Sequence, residues 1–182
     1  DVDGGERAVI LNMLTGVEDK VRGEGTHFRV PWLMQPKRYN IRLRPKVIQT
    51  TTGTKDLQTV TIHCRMLFKP EITGLPTIHK TLGEDYDERV LPSIANEVMK
   101  ATIAQYNAEQ LLTHREHVSG EIREAIVNRA SQFNILMDDV SITHLTYGKE
   151  FARAIEEKQV AEQDAERQKF VVQRTEQERQ AT

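Results

Sequence analysis

The sequence predicts an α+β domain followed by one long, highly charged helix, and three patterns indicate this. Residues 58–68 alternate apolar and polar side chains with the period-two spacing of a half-buried strand. Helix-start signals and apolar faces recur over residues 87–131. Residues 149–182 contain neither Gly nor Pro and are dominated by Glu, Gln, Arg, Lys and Ala. We therefore expect a domain over residues 1–148 and the start of a helical stalk over residues 149–182.

The strands are predicted from alternation and from the turns that limit it. Short apolar runs place strands at residues 7–11 and 26–30, and a last one at residues 135–146. Residues 37–50 read as one long strand whose polar face carries four basic side chains, Arg38, Arg42, Arg44 and Lys46. We expect this strand to pair with residues 58–68, in which Cys64 belongs to the apolar face.

Helices are predicted where apolar side chains take up helical spacing behind capping residues. A short helix covers residues 75–82, and a longer one begins near residues 87–91 with Pro92 in or near its first turn. Asn107 and Gln110 have the spacing of a capping box, which Thr113 and Glu116 repeat before a helix that runs to about residue 131.

The charged helix over residues 149–182 has a thin apolar stripe. Its members follow a heptad-like spacing: Ala154, Ala161, Ala165 and Val172. A helix of about 30 residues with so little apolar surface does not fold stably alone, so we expect a partner helix in a coiled coil. A single solvated helix with many ion pairs is the alternative.

Composition excludes several classes of protein. The formal net charge of −2 does not favour a general nucleic-acid binder. The single cysteine, Cys64, excludes an intramolecular disulfide framework and is expected to be a small core residue. No run of about 18 apolar residues is present.

Two charged clusters are the candidate interaction sites. The basic strand face of Arg38, Arg42, Arg44 and Lys46 is either solvated or a contact with anionic lipid headgroups or an acidic subunit surface. The acidic residues of 84–88 precede a helix, where carboxylates cap free N–H groups. The four acidic residues, Glu84, Asp85, Asp87 and Glu88, also form a candidate subunit contact. The stripe on the charged helix is the other candidate subunit contact.

Signals for catalysis are weak, and we expect no catalytic, cofactor or metal site. His114, His117 and Glu121 share a helix face but lack the i, i+4 histidine pair of a zinc-protease helix. No phosphate-binding loop and no Gly-x-Ser-x-Gly elbow occurs. The sequence therefore predicts a non-enzymatic protein, with a metal-dependent hydrolase as the remote alternative.

Several segments, in order and in register, resemble the prohibitins. They are Gly23-Glu-Gly-Thr-His-Phe28 with Val30-Pro-Trp32, Thr52-Gly-Thr-Lys-Asp-Leu-Gln58, Asp85-Tyr-Asp-Glu-Arg-Val-Leu-Pro-Ser-Ile94, Asp138-Asp-Val-Ser-Ile-Thr-His144 and Lys158-Gln-Val-Ala-Glu-Gln-Asp-Ala-Glu-Arg167. The resemblance implies an SPFH/band 7 domain, an antiparallel sheet with packed helices, followed by a long coiled-coil helix. The segments do not assign the chain to one of the two prohibitin paralogue types.

The resemblance also implies a function. A prohibitin-like chain is a scaffold subunit of a hetero-oligomeric ring or cage in the mitochondrial inner membrane. Its domain faces the intermembrane space, and its hydrophobic anchor lies upstream of Asp1. Implied partners are the second prohibitin paralogue, a membrane-bound AAA protease and inner-membrane lipids such as cardiolipin. Implied roles are holdase or chaperone activity, control of membrane-protein turnover and support of cristae. A soluble chaperone or adaptor without a membrane role is the alternative.

Overall fold

The computed structural model describes residues 1–181, which form two compact units divided after Thr146. In chain order the strands are β1 Glu6–Asn12, β2 Gly16–Arg22, β3 Met34–Asn40, β4 Arg44–Gly53, β5 Thr59–Pro70 and β6 Ile135–Tyr147. The helices are α1 Leu75–Thr81, α2 Tyr86–Ile103, α3 Ala108–Thr113, α4 Arg115–Ser131 and α5 Lys149–Gln180. A single 3-10 turn, Ile72–Gly74, precedes α1. The α+β class predicted from the sequence is confirmed.

The first sheet has the strand order β2-β1-β3, with β1 antiparallel to both neighbours. The central strand β1 is buried at Ala8, Val9 and Ile10, because it has a neighbour on each side. Helix α1 packs on this sheet, where the Tyr39 hydroxyl lies 2.6 Å from His79 Nδ1. One face of the sheet is therefore covered by a helix.

The second sheet has the order β4-β5-β6, and its central strand shows the clearest sequence pattern. The apolar row predicted on this strand is at most 1% exposed: Val60, Ile62, Cys64, Met66 and Phe68. Helix α2 packs on β4 and on α4, and its buried residues complete this core. The predicted pairing of β5 with the strand before it is confirmed for β4.

Residues 37–50 do not form the single strand that their alternation predicts. The chain leaves β3 at Asn40 and enters β4 at Arg44, and the two strands belong to different sheets. The side chain of Asn40 accepts the Arg42 backbone N–H at 2.9 Å, and the Ile41 N–H donates to the Gly5 carbonyl at 3.0 Å. Because an Asn side chain that bonds two residues ahead imitates a turn, it ends the extended run.

Other predicted elements also differ from the structure. Residues 26–30 are not a strand, and only an isolated bridge between Val2 and Gly25 lies nearby. Strand β2 was not predicted, because its middle is polar and its burial comes from α1 rather than from apolar alternation. The start of α2 lies at Tyr86, one residue before the predicted range, so Pro92 falls in the second turn, near the first turn where it was expected.

Both capping signals flank real helices, but only the first is a working cap. Gln110 Oε1 accepts the Asn107 backbone N–H at 2.9 Å, which confirms the capping box of α3. The second prediction is wrong: His114 is the N-cap residue of α4, and the Thr113 hydroxyl donates back to the Glu109 carbonyl at 3.3 Å.

The second unit consists mainly of α5, a helix of 32 residues. None of its residues is buried. At its start the rings of Tyr147 and Phe151 lie 5.0 Å apart. The helical prediction for this region is confirmed, and the apolar side chains of the helix stay accessible.

Candidate interaction surfaces

The basic and acidic clusters predicted as separate surfaces contact each other at one pair, in which Arg44 lies 3.9 Å from Asp87. Lys37, which is not a member of the basic cluster, places its Nζ 3.1 Å from a Glu84 carboxylate oxygen. Asp85 pairs within its own helix turn with Arg89 at 3.2 Å. Three of the four acidic side chains therefore have basic partners inside the chain, and two of these pairs join the segment at the start of α2 to the two sheets.

Arg44 belongs to the core-facing side of β4, which corrects its predicted place on an open polar face. It stands opposite Phe68 in the strand register, and its guanidinium carbon lies 5.1 Å above the centre of the Phe68 ring. It also donates to the Tyr86 hydroxyl at 3.1 Å. Burial raises the pKa of Tyr86, while the neighbouring Arg44 charge acts in the opposite direction. Arg44 is thus a packing residue that holds α2 on the sheet.

The other three basic residues do not share a strand face either. Arg38 lies in the first sheet, and Lys46 is half-buried on β4 opposite Met66. Arg42 lies in the connection between the sheets and donates to the Gly4 carbonyl at 2.6 Å. Its side chain covers Gly5, where a Cβ atom would come within 2.2 Å of the guanidinium Nε. The turn at residues 41–43 therefore separates the four basic residues that the alternation had placed on one strand face.

The acidic segment leaves one carboxylate without an ion partner among residues 1–181. Glu88 is exposed, whereas Glu84, Asp85 and Asp87 have basic partners. Burial, and next the nearby Glu84 carboxylate, raise the pKa of Tyr39 to about 12. The segment therefore organises the junction between α1, α2 and the first sheet as well as presenting charge outward.

Helix α5 presents the predicted stripe to solvent. Ala154, Ala161, Ala165 and Val172 are all exposed, and their spacings of seven, four and seven residues place them on one heptad seam. Phe151 belongs to the same seam, because Lys158 lies seven residues after it and Ala165 lies seven residues after Lys158. Val171 adds exposed apolar surface next to Val172, and Phe170 is exposed on the side of the helix away from the seam.

A second exposed apolar surface lies at one end of the first sheet and was missed by the sequence reasoning. The β1–β2 turn and the β2–β3 loop meet there, joined by a hydrogen bond of 2.9 Å from the Met13 N–H to the Leu33 carbonyl. Phe28 is fully exposed and Trp32 is 87% exposed. We call this surface the apolar loop edge; its large apolar side chains are Met13, Leu14, Val30, Trp32 and Leu33, and the exposed Phe28 precedes Val30 in the same β2–β3 loop. Two aromatic residues beside Pro31 were the available signal, but the segment reads equally well as a buried strand.

The groups considered for catalysis do not converge. His117 lies 3.3 Å from Glu121, which also accepts a hydrogen bond from the Tyr106 hydroxyl at 2.8 Å. His114 instead contacts the Thr113 hydroxyl. Within residues 1–181 no group of three or more His, Cys, Asp or Glu side chains is placed to hold a metal ion. Cys64 is buried as predicted, and burial raises the pKa of its thiol to about 11.

In the described part of the chain, no helix is both long and apolar enough to cross a bilayer. The described chain has two three-stranded sheets with packed helices, followed by a solvent-exposed helix. Comparisons with known proteins identify the family to which this chain belongs. The model of the SPFH domain / Band 7 family matches residues 1–181, and the chain belongs to this family.

Within that family, the chain is similar to prohibitins. It is 57% identical over 180 residues to Prohibitin-3, mitochondrial, of Arabidopsis thaliana, which covers 99% of this chain and 65% of that protein. It is 56% identical to Prohibitin-2 and 55% identical to Prohibitin-1 of Saccharomyces cerevisiae, with 58% and 63% of those proteins covered. The resemblance inferred from the sequence segments is confirmed. The chain spans about three fifths to two thirds of the length of these curated relatives.

Proposed function

We propose that the chain is a non-enzymatic scaffold subunit that assembles through α5 and contacts a membrane through the apolar loop edge. The observation that carries the proposal is that none of the residues of α5 is buried, although the helix runs for 32 residues. Most helical stability in proteins comes from packing of an apolar face, so an isolated helix of this composition is marginal. A second α5 supplies the missing surface.

The seam favours a close contact between helices of neighbouring subunits. Small side chains at Ala154, Ala161 and Ala165 allow the helix axes to approach closely, and charged flanks favour cross-helix ion pairs. In a parallel, in-register pair like heptad positions face each other, so the small seam residues of both helices meet at the same levels. We therefore propose parallel, in-register pairing of α5 in a coiled coil.

The apolar loop edge replaces the basic strand face as the proposed membrane contact. A tryptophan and a phenylalanine exposed at a loop tip suit the interface between water and lipid, where amphipathic and aromatic rings concentrate. Arg44 and Lys46 take part in packing beside the second sheet and are withdrawn from this role, while Arg38 lies in the first sheet with the loop edge. Glu88 remains the proposed acidic contact to a neighbouring subunit.

Family membership extends the proposal to the larger assembly. By its similarity to prohibitins, we propose that α5-paired copies of the chain combine with a second prohibitin paralogue in a hetero-oligomeric ring at the mitochondrial inner membrane, with the domain in the intermembrane space. We propose that such a ring holds membrane proteins, restrains a membrane-bound AAA protease, gathers lipids such as cardiolipin and supports cristae. A soluble adaptor would share the stalk contact but not the membrane contact.

Assembly is tested with two charge-matched double variants of α5. Ala161→Glu with Ala165→Glu places two carboxylates in the seam, whereas Gln159→Glu with Gln163→Glu adds the same charge outside it. Sedimentation velocity should show loss of the oligomer for the seam variant only, because buried like charges oppose pairing. Equal sedimentation of both variants and the unmodified chain would show that the seam is not the contact.

Membrane contact is tested with the intrinsic fluorescence of Trp32, the only tryptophan in the chain. Its emission should shift to shorter wavelength on addition of phospholipid vesicles and should be quenched by bromine-labelled acyl chains. Leu57→Ala, at an exposed turn of the other sheet, is the control that leaves this response unchanged. An emission that stays at the wavelength of solvated tryptophan would favour the soluble adaptor.

A further inference from the structure

A row of side chains across the first sheet forms the floor and walls of a pocket. In the strand register Ala8 stands directly between Arg22 on β2 and Arg38 on β3. Neighbouring strands are about 4.8 Å apart, so the two arginine backbones lie roughly 10 Å from each other across the small Ala8 side chain. Ile10 and Pro36 form the next row on the same face. Two long cations thus flank an apolar floor.

This face of the sheet is the one that α1 leaves uncovered. Successive residues of a strand point to opposite faces, and Tyr39, next to Arg38, contacts α1 through His79. The face opposite Tyr39, which carries Arg22, Ala8 and Arg38, is bordered by irregular segments around Val2 and Phe28. The lining of the resulting cavity of about 440 Å³ includes Ala8, Ile10, Arg22, Phe28, Arg29 and Arg38. Its volume lies in the range of small-molecule sites.

The arginines of this pocket are incompletely satisfied by the chain. Arg22 Nε is buried and has no hydrogen-bond partner among the described residues, although its guanidinium lies 3.6 Å from Glu18. Arg38 reaches Asp3 only at 4.0 Å, with both side chains largely exposed. Such long, exposed ion pairs contribute little to stability, whereas a buried donor without an acceptor is costly.

Two further groups shape the charge of the pocket. Arg29 is exposed and has no ion partner within residues 1–181. His27 Nε2 lies 2.8 Å from the Gly23 carbonyl oxygen, which ties the loop to β2. Asp1 also lines the pocket, and its carboxylate accepts a hydrogen bond from Thr26. The lining therefore includes three arginines and one aspartate, while the carboxylates of Glu18 and Asp3 lie near Arg22 and Arg38.

We propose that this pocket binds the phosphate group of an anionic headgroup, held between Arg22 and Arg38 with Arg29 at the rim. Guanidinium groups match phosphate oxygens through paired N–H donors, and a phosphate oxygen supplies the acceptor that Arg22 Nε lacks. Phe28 lines the pocket and lies in the same β2–β3 loop as Val30, Trp32 and Leu33 of the apolar loop edge, so the loop that meets the membrane also borders the headgroup site. The inference that the phosphate belongs to a lipid rests on the membrane contact of the proposed function. The inference that the arginines bind a phosphate group does not.

The experiment compares vesicles of phosphatidylcholine alone with vesicles containing one fifth phosphatidylglycerol, using co-flotation of the full 182-residue chain. The test variant is Arg22→Gln with Arg38→Gln. The control is Arg65→Gln with Lys69→Gln, which removes the same charge from exposed positions of β5. Asp3→Asn removes the competing carboxylate of Arg38. Thermal unfolding of each variant confirms that it is folded.

We expect the unmodified chain to prefer the anionic vesicles, and the test variant to lose that preference by roughly fivefold for each arginine. The control keeps the preference, and Asp3→Asn strengthens it. Retention of the preference by the folded test variant, or equal loss in the control, would overturn the proposal. Equal binding of the unmodified chain to both vesicles also overturns it, yet leaves the membrane contact of the loop edge intact.

A second experiment, with a soluble phosphate compound, distinguishes a lipid headgroup from a soluble phosphate as the ligand. Titration with glycerol phosphate, followed by phosphorus NMR, should show weak binding that disappears in the Arg22→Gln, Arg38→Gln variant. If the chain binds neither kind of vesicle but binds glycerol phosphate through these arginines, the pocket stands with a soluble ligand and the membrane contact fails. Absence of binding in both arms overturns the pocket.

Discussion

Replacement of Arg44 by alanine tests the conclusion that this residue holds the domain together. The change removes the contact of the guanidinium with the Phe68 ring, the hydrogen bond to Tyr86 and the ion pair with Asp87. These are worth about 0.5–1, about 1 and about 0.5 kcal/mol, since the site is partly buried. We expect the free energy of unfolding to fall by about 2–2.5 kcal/mol.

Urea denaturation followed by circular dichroism measures this change, with Arg65→Ala as the control. Arg65 is an exposed arginine on β5 whose loss should change stability by less than about 0.5 kcal/mol. Arg44→Lys should recover only part of the loss, because an ammonium group lacks the planar fork of donors. A loss below about 0.5 kcal/mol for Arg44→Ala, together with weaker vesicle binding, would return Arg44 to the membrane surface and refute the reasoning.

Three further predictions concern single positions. Cys64 should react with a thiol reagent only after unfolding, because its thiol is fully buried and its pKa is raised to about 11; rapid labelling of the native chain would contradict this burial. Leu57→Asn should raise the free energy of unfolding by about 0.5–1 kcal/mol, since Leu57 has φ 64° and is 90% exposed; a destabilised variant would mean that the leucine has a stabilising contact. The free energy of unfolding should fall as pH rises from 10 towards about 12, because the Tyr39 phenol keeps its proton in the folded state while the unfolded chain releases it; an unchanged pH dependence in Tyr39→Phe would exclude this cause.

The sequence predicted those elements whose burial follows a simple period. The row from Val60 to Phe68 alternates without interruption because β5 is central in its sheet. By contrast, the alternation over residues 37–50 passes through a turn that two local hydrogen bonds create. The apolar residues Ile41 and Leu43 continue the alternation of Tyr39 through the turn, so a period of two cannot reveal the break. Beyond the turn the buried positions change parity, since Ile48 and Thr50 of β4 are buried.

The candidate surfaces were harder to predict than the fold, because they depend on contacts between distant segments. The pairing of Lys37 with Glu84 and of Arg44 with Asp87 joins residues more than forty positions apart. The loop edge arises from a hydrogen bond between Met13 and Leu33, which no periodicity marks. The stripe on α5 was predictable because both of its determinants, heptad spacing and missing Gly and Pro, are local.

Oxidative cross-linking between α5 helices tests the central claim of assembly most directly. Ala161→Cys places a thiol in the seam, and Gln163→Cys places one outside it, while Cys64 is buried and does not compete. In a parallel, in-register pair the two residues 161 lie close enough for a disulfide. We expect Ala161→Cys to form a disulfide-linked dimer and Gln163→Cys to form little of this dimer. Equal cross-linking at both positions, or none at position 161, would contradict assembly through this seam.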